Sequence, residues 1–141
     1  MVRKLFSLLF AAALALPATA GAAEAPWGQA SAKDIDYSGQ KVVFDVAVDS
    51  VERMNAVLDR ASYISKVNGA NPFDTSVVLV LHGHEIPYFA IENYDKRQEL
   101  MKRAHSLTLN GVIEFRMCEQ AADFHGYEPA DIHGFVTLVP M

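Results

Sequence analysis

The sequence predicts an α/β fold, with helices on both faces of a mainly parallel sheet of four strands, or of five, in a three-layer α/β/α arrangement. Short continuous runs of β-branched and aliphatic residues alternate along the chain with segments whose apolar residues recur at spacings of three and four. Strands that alternate with helices pair in parallel through right-handed crossovers.

Composition limits the classes of function. The chain has 141 residues, of which 51% are hydrophobic and 21% are charged, a balance typical of one globular domain. Its net charge is −5, so it has no basic field that could hold a nucleic-acid backbone. A single cysteine excludes a disulfide framework within the chain, and it excludes a zinc or iron–sulfur site built from several cysteines.

The first 23 residues have the pattern of a secretory signal peptide. Two basic residues are followed by the apolar run 5–16, which is shorter than the roughly 20 residues that a membrane-spanning helix needs. Pro17 ends this run, and the small residues of Ala18-Thr19-Ala20 fit the pattern that signal peptidase recognises. We expect export to a bacterial periplasm, no association with the membrane after cleavage, and a cleavage site after Ala20, Ala22 or Ala23.

Residues 24–40 are predicted to form an N-terminal arm, because they are mixed in character and contain Pro26, Gly28 and Gly39. One domain is predicted for residues 41–141. It opens with a strand at 41–48 (KVVFDVAV), whose β-branched residues favour a buried position in a sheet.

A helix follows this first strand. Asp49 or Ser50 can cap its first turn, and Asn68-Gly69 can end it at a left-handed position. Its apolar stripe consists of Val51, Met54, Val57, Leu58, Ala61 and Ile64. The second predicted strand, 76–81 (SVVLVL), is almost purely aliphatic, and the loop His82-Gly83-His84-Glu85 follows it.

The alternation continues to the end of the chain. The predicted elements are a helical turn at 88–91, a helix capped by Asn93 and ended by Asn110-Gly111, a strand at 112–117 (VIEFRM) with Cys118 at its C-terminal end, a short helix at 119–125, and a fourth strand at 134–139.

This fold indicates where a site should lie. Ligands of open α/β sheets bind at the carboxyl ends of the strands. His82, Gly83 and His84 follow the second strand and Cys118 follows the third, so parallel pairing brings both segments to one edge. A helix that starts directly after Cys118 favours the nucleophilic thiolate form. Two interpretations of Cys118 stay open, a reactive nucleophile and a buried small hydrophobic residue.

Three stretches occur in an order and at spacings that point to one family. They are residues 41–46 leading into a helix with Met54, Asn55, Ala56, Leu58 and Ala61; residues 77–83, an aliphatic strand ending in His82-Gly83; and residues 110–118, a strand opened by Gly-Val and ended by Cys118, followed by a short helix to Gly126 and by Asp131. Over about residues 40–140 the sequence resembles the DsrE/DsrF-like (YchN-like) sulfur-relay family.

The resemblance implies persulfide chemistry at Cys118, which would accept a sulfane sulfur and pass it on as a sulfur carrier or sulfurtransferase, with His82, Gly83 and His84 in the pocket. It also implies no cofactor, assembly as a homo-oligomer (a trimer or a hexamer), and a sulfur donor and acceptor that are proteins or small sulfur compounds. Related proteins act in the cytoplasm. A periplasmic location would exclude tRNA thiolation and leave sulfur-compound metabolism, redox buffering or an unrelated binding role.

Family members continue past the Val-Pro that corresponds to Val139-Pro140 with a further strand beside the first one, whereas this sequence ends at Met141. The resemblance therefore predicts that the strand at 41–48 lies at an edge of the sheet.

Other functions stay open. One is a non-catalytic, oligomeric binding or scaffold protein of the same fold, in which Cys118 is buried. Another is a small metal-binding protein in which His82, His84 and Cys118 are ligands. His82 could instead act on Cys118 as in cysteine–histidine pairs, or bond to the backbone at the Gly83 turn.

Glu114 and Arg116 alternate along the third strand, so they share one face of the sheet. They would form an ordinary salt bridge, or else mark a subunit interface or a pair that faces the site.

Overall fold

The computed structural model describes residues 25–35 and 39–140. The predicted signal peptide at 1–23 lies outside these residues. The chain divides into two compact units, 1–34 and 35–141, and all helices and strands described below belong to the second unit. Within the described residues, no helix is both long enough and apolar enough to cross a membrane.

Four strands and three α-helices alternate along this unit. They are β1 (Lys41–Val46), α1 (Val51–Val67), β2 (Ser76–Leu81), α2 (Tyr94–Thr108), β3 (Ile113–Cys118), α3 (Glu119–Phe124) and β4 (Val136–Val139). Short 3-10 turns occupy Ile86–Phe89, Ile91–Asn93 and Pro129–Asp131.

The predicted fold class is confirmed. The four strands form one sheet in the order β1-β2-β3-β4, and every pair of neighbours is parallel. Helices pack around this sheet, which is consistent with a three-layer α/β/α fold. β1 lies at one edge, as predicted, and β4 lies at the other.

The two faces of the sheet are covered to different extents. The inner face carries the hydrophobic core, with Val46, Val77, Leu79, Leu81, Ile113, Phe115, Met117 and Val136 buried on it. α1 and α2 lie next to each other, because Arg103 of α2 donates a 2.6 Å hydrogen bond to Asn55 of α1 and also pairs with Asp59. The opposite face is called the outer face here and keeps exposed side chains on β1, β3 and β4.

The ends of the helices follow the predicted caps with one difference. Ser50 accepts a 3.2 Å hydrogen bond from the Arg53 amide and so caps α1, and Gly69 continues the chain at a φ of 70°. Asn93 occupies the cap position of α2, but its side chain does not accept a bond from the helix. Its amide donates to Pro87 O at 3.0 Å, because the preceding 3-10 turn brings that carbonyl within reach.

Candidate functional site

The two segments singled out in the sequence end neighbouring parallel strands. The register pairs Leu81 with Met117, so His82 and Cys118 are the next residues along β2 and β3. Leu81 and Met117 are buried in the core, and side chains alternate along a strand. His82 and Cys118 therefore belong to the outer face, at the carboxyl edge of the sheet.

Cys118 is the last residue of β3 and the cap residue of α3. Its Sγ accepts a 3.3 Å hydrogen bond from the Ala121 amide, and the residue is 4% exposed. It is a free cysteine, since the sequence contains no other. An amide hydrogen pointed at sulfur stabilises negative charge there, whereas burial restricts access to it.

The side chain of His82 is bonded to a partner that none of the interpretations of the sequence named. Its Nε2 shares a short hydrogen bond with Asp45 Oδ1 on the neighbouring strand β1. The side chain of His82 is 31% exposed, and that of Asp45 is 85% exposed. Within the described residues, no hydrogen bond joins His82 to Cys118. The structure thus directs one imidazole nitrogen toward β1.

Gly83 lies where the loop after β2 closely approaches the backbone that follows β1. A Cβ atom at this position would lie 2.8 Å from Ala47 Cα and 2.9 Å from Glu85 Oε2. Both distances are shorter than van der Waals contact, and one of the atoms belongs to backbone. The glycine of the His-Gly pair is therefore required by packing between the ends of β1 and β2.

Glu85 is a buried carboxylate that holds this loop together. Its side chain accepts three backbone hydrogen bonds, from Val48 at 2.8 Å, His82 at 2.9 Å and Gly83 at 2.8 Å. The residue is 0% exposed. Three amide donors compensate the cost of burying the charge, because each satisfies a carboxylate lone pair. Glu85 thereby ties the end of β1 to the loop after β2.

The sequence placed Glu85 in this loop but assigned it no role. Its contact with Val48 spans 37 residues along the chain. The remaining local signal, a carboxylate that follows a strand by a few residues and precedes Ile86-Pro87, is common in turns. Pattern alone could not distinguish this buried carboxylate from an ordinary exposed loop residue.

His84 lies beside another histidine. It is exposed, and its ring lies 6.2 Å from the ring of His125 at the end of α3 in an edge-to-face arrangement. The part of the chain that the structure describes contains no group of three His, Cys, Asp or Glu side chains that could hold a metal ion. The geometry therefore gives the metal-binding hypothesis no support.

A concave region lies between α2 and the start of β4. It is a groove of about 540 Å³ lined by Tyr94, Met101, Lys102, His105, His133, Gly134 and Phe135. The His133 ring stacks on Phe135 with 6.0 Å between centroids, and burial lowers the pKa of His133. No pattern in the sequence marks this groove, since its residues come from two separate segments.

Comparisons with known proteins gave no match. No protein-family model, no curated protein and no solved structure matches this chain. The resemblance to the DsrE/DsrF-like family stays a prediction.

Proposed function

We propose that this protein is a periplasmic sulfur carrier or sulfurtransferase-like protein that accepts sulfane sulfur as a persulfide on Cys118. The observation that supports the proposal is the position of the sole cysteine. It ends a central strand at the carboxyl edge of a parallel sheet, with the Ala121 amide directed at its sulfur. This edge is where α/β sheets place reactive groups.

The proposed step is a nucleophilic displacement at sulfur. The Cys118 thiolate attacks the outer sulfur of thiosulfate, the S–S bond of thiosulfate breaks with its electron pair, and sulfite leaves. Cys118 then carries a persulfide, and the total charge is unchanged. A protein persulfide donor would react in the same way and leave as a thiolate. The Ala121 amide would stabilise the attacking sulfur before the step.

The proposed reaction requires that the sulfur donor can reach the thiol of Cys118. Because Cys118 is 4% exposed, a donor sulfur reaches Sγ only after the residues that bury it move, and we assign this movement to α3, which starts directly after Cys118. α3 has six residues and only one fully buried side chain, that of Ala122, so few core contacts oppose its opening. We also propose that the protein assembles as a homo-oligomer and passes the sulfur on to a separate acceptor.

A non-catalytic binding or scaffold protein of this fold is the second candidate function. Two observations favour it. The thiol is buried, and the histidine on the neighbouring strand is bonded to Asp45 and not to sulfur. In that case Cys118 would be a small residue that fills space at the start of α3.

Intact mass spectrometry separates the two candidates. The folded protein is incubated with thiosulfate, tetrathionate or a persulfide donor, and Cys118→Ser is treated in parallel. A sulfur carrier gains one sulfur atom or one thiosulfonate group, loses it on reduction, and shows no gain in the variant. Alkylation of the same samples, folded and in urea, reports whether the thiol can be reached. If only the unfolded protein is alkylated and no adduct forms, Cys118 is structural.

A further inference from the structure

The outer face of the sheet combines apolar residues with paired charges. The register aligns two rows across it, Val43–Val78–Glu114 and Asp45–Val80–Arg116. Val43 is 69% exposed, and Val78 and Val80 are half-buried. The side chains of Glu114 and Arg116 are 44% and 45% exposed. These rows contrast with the inner face, where the residues of β2 and β3 are buried.

A parallel sheet with exposed residues on one face, as on this outer face, is unusual. All-parallel sheets occur almost only where both faces are covered, because their strands are apolar on both sides. β2 follows this rule in its own sequence, since Val78 and Val80 on the outer face are as aliphatic as Val77 and Leu79 on the inner one. A layer over the outer face would bury these valines.

The charged residues on this face can pair with the same residues on a second copy of the chain. Arg116 donates two hydrogen bonds to Glu114, at 2.9 and 3.0 Å, so the two residues stand side by side along β3. Consider two copies whose outer faces are in contact, related by a two-fold axis that lies between the two sheets and runs perpendicular to the strands. If the axis passes between two neighbouring rows, each row of one copy lies over the other row of the second copy. Such an axis places Arg116 of each copy over Glu114 of the other, and the valines of one β2 over those of the other.

We propose that the outer face binds the outer face of a second copy of this chain, through a two-fold axis that passes between the Val78–Glu114 row and the Val80–Arg116 row. This contact is isologous, as in most homodimers. It buries the valines of both copies and gives each Arg116 a second carboxylate. The inference does not depend on sulfur chemistry, because none of these residues takes part in the reaction proposed for Cys118.

The size of the face predicts a weak, reversible contact. Strands lie about 4.8 Å apart and advance about 3.3 Å per residue, so the face measures roughly 20 Å by 20 Å, or about 400 Å². This is about half of what each partner contributes to a standard stable interface. The dimer should therefore dissociate on dilution.

Complementary charge reversals test this contact. Glu114→Arg leaves two arginines on the face, and Arg116→Glu leaves two glutamates. The full chain is expressed, and each purified variant is examined by sedimentation velocity over a concentration series. We expect the dissociation constant of each variant alone to rise at least about tenfold, because like charges then face each other. An equimolar mixture of the two variants should form a heterodimer. Mixing cannot restore an ion pair within one chain, so this rescue can come only from contact between chains.

Two controls separate association from folding. Glu99→Arg and Lys102→Glu change a comparable exposed pair on α2, and they should leave the dissociation constant unchanged. Val43→Asp should weaken the dimer without loss of secondary structure, because that side chain is 69% exposed in the single chain.

Three results would overturn the proposal. The first is a wild-type protein that stays monomeric at all accessible concentrations, as it would if the arm at 24–40 of the same chain covered the face. The second is an oligomer whose dissociation constant is the same in the wild type and in both charge-reversal variants. The third is a mixture of the two variants that stays monomeric. None of these results affects the sulfur-adduct experiment on Cys118.

Discussion

Asp45 and His82 are joined across neighbouring parallel strands, by a hydrogen bond between Asp45 Oδ1 on β1 and His82 Nε2 after β2. The pair lies on the outer face, at the same sheet edge as Cys118. A carboxylate on one nitrogen of an imidazole fixes the orientation of the ring. His82 is thereby held by the edge strand β1, whereas Cys118 lies on β3, on the other side of β2. The hydrogen bond of His82 therefore does not involve the cysteine.

Replacing Asp45 with asparagine should release the His82 ring at little cost to the fold. Because the Asp45 side chain is 85% exposed, we expect the free energy of unfolding to fall by less than about 1 kcal/mol. The His82 imidazole signals should shift in an NMR spectrum, while the alkylation rate of Cys118 stays the same. Asp49→Asn, in an exposed pair with Arg53, is the matched control. A changed alkylation rate would show that His82 acts on the thiol.

Replacing Glu85 with glutamine should destabilise the domain strongly. The carboxylate accepts three backbone amides, and a carboxamide presents its own N–H groups to at least one of them. A buried donor left without an acceptor costs about 1–3 kcal/mol, so the loss in urea unfolding should be of that size. Glu99→Gln, an exposed change of the same kind, should have no effect. A loss below about 1 kcal/mol would mean that water reaches these amides.

Alanine at position 83 should be poorly tolerated, whereas alanine at position 134 should be accepted. The new Cβ at Gly83 meets Ala47 and the Glu85 carboxylate at less than 3 Å, but at Gly134 no atom lies within 4 Å. We expect Gly83→Ala to lower the free energy of unfolding by about 1–3 kcal/mol, as in overpacked sites. Gly134→Ala should stay within about 0.5 kcal/mol of the parent. Equal stability of the two variants would contradict the close approach at Gly83.

The half-buried His133 should make the domain less stable in mild acid. Burial lowers its pKa below the ordinary value of 6.5, so the unfolded chain binds the proton more tightly than the folded one. Its contribution is complete above pH 6.5 and is lost as the pH falls from 6.5 toward the folded-state pKa.

NMR titration measures this effect directly. The His133 ring should titrate at lower pH in the folded protein than in the same protein unfolded by urea. His133→Phe should remove the corresponding part of the acid dependence of unfolding. Titration of His133 at the same pH in both states would exclude this cause.

Regular features of the fold could be predicted because they depend on local spacing. The stripe of α1 was predicted from its apolar period, and Met54, Leu58 and Ala61 are buried as that period requires. The aliphatic run at 76–81 was enough to place β2 in the core. Parallel pairing followed from the alternation of elements, and this identified the sheet edge that carries His82 and Cys118.

Contacts between distant segments could not be predicted in the same way. Glu85 bonds to Val48 and His82 bonds to Asp45, each across 37 residues. Such contacts depend on strand register, which periodicity does not specify. Register also decides the partner of His82. The topology places His82 on the strand next to that of Cys118, but its side chain is bonded to Asp45 on the strand at the other side.

The strand order also has a consequence for how the chain folds. Because spatial order equals chain order, each strand pairs with the strand that comes just before it in the sequence. Growth of the sheet therefore never waits for a later segment to insert between strands already paired. A chain that emerges gradually with its N-terminus first, from a ribosome or through a membrane channel, can add strands one at a time in their final positions.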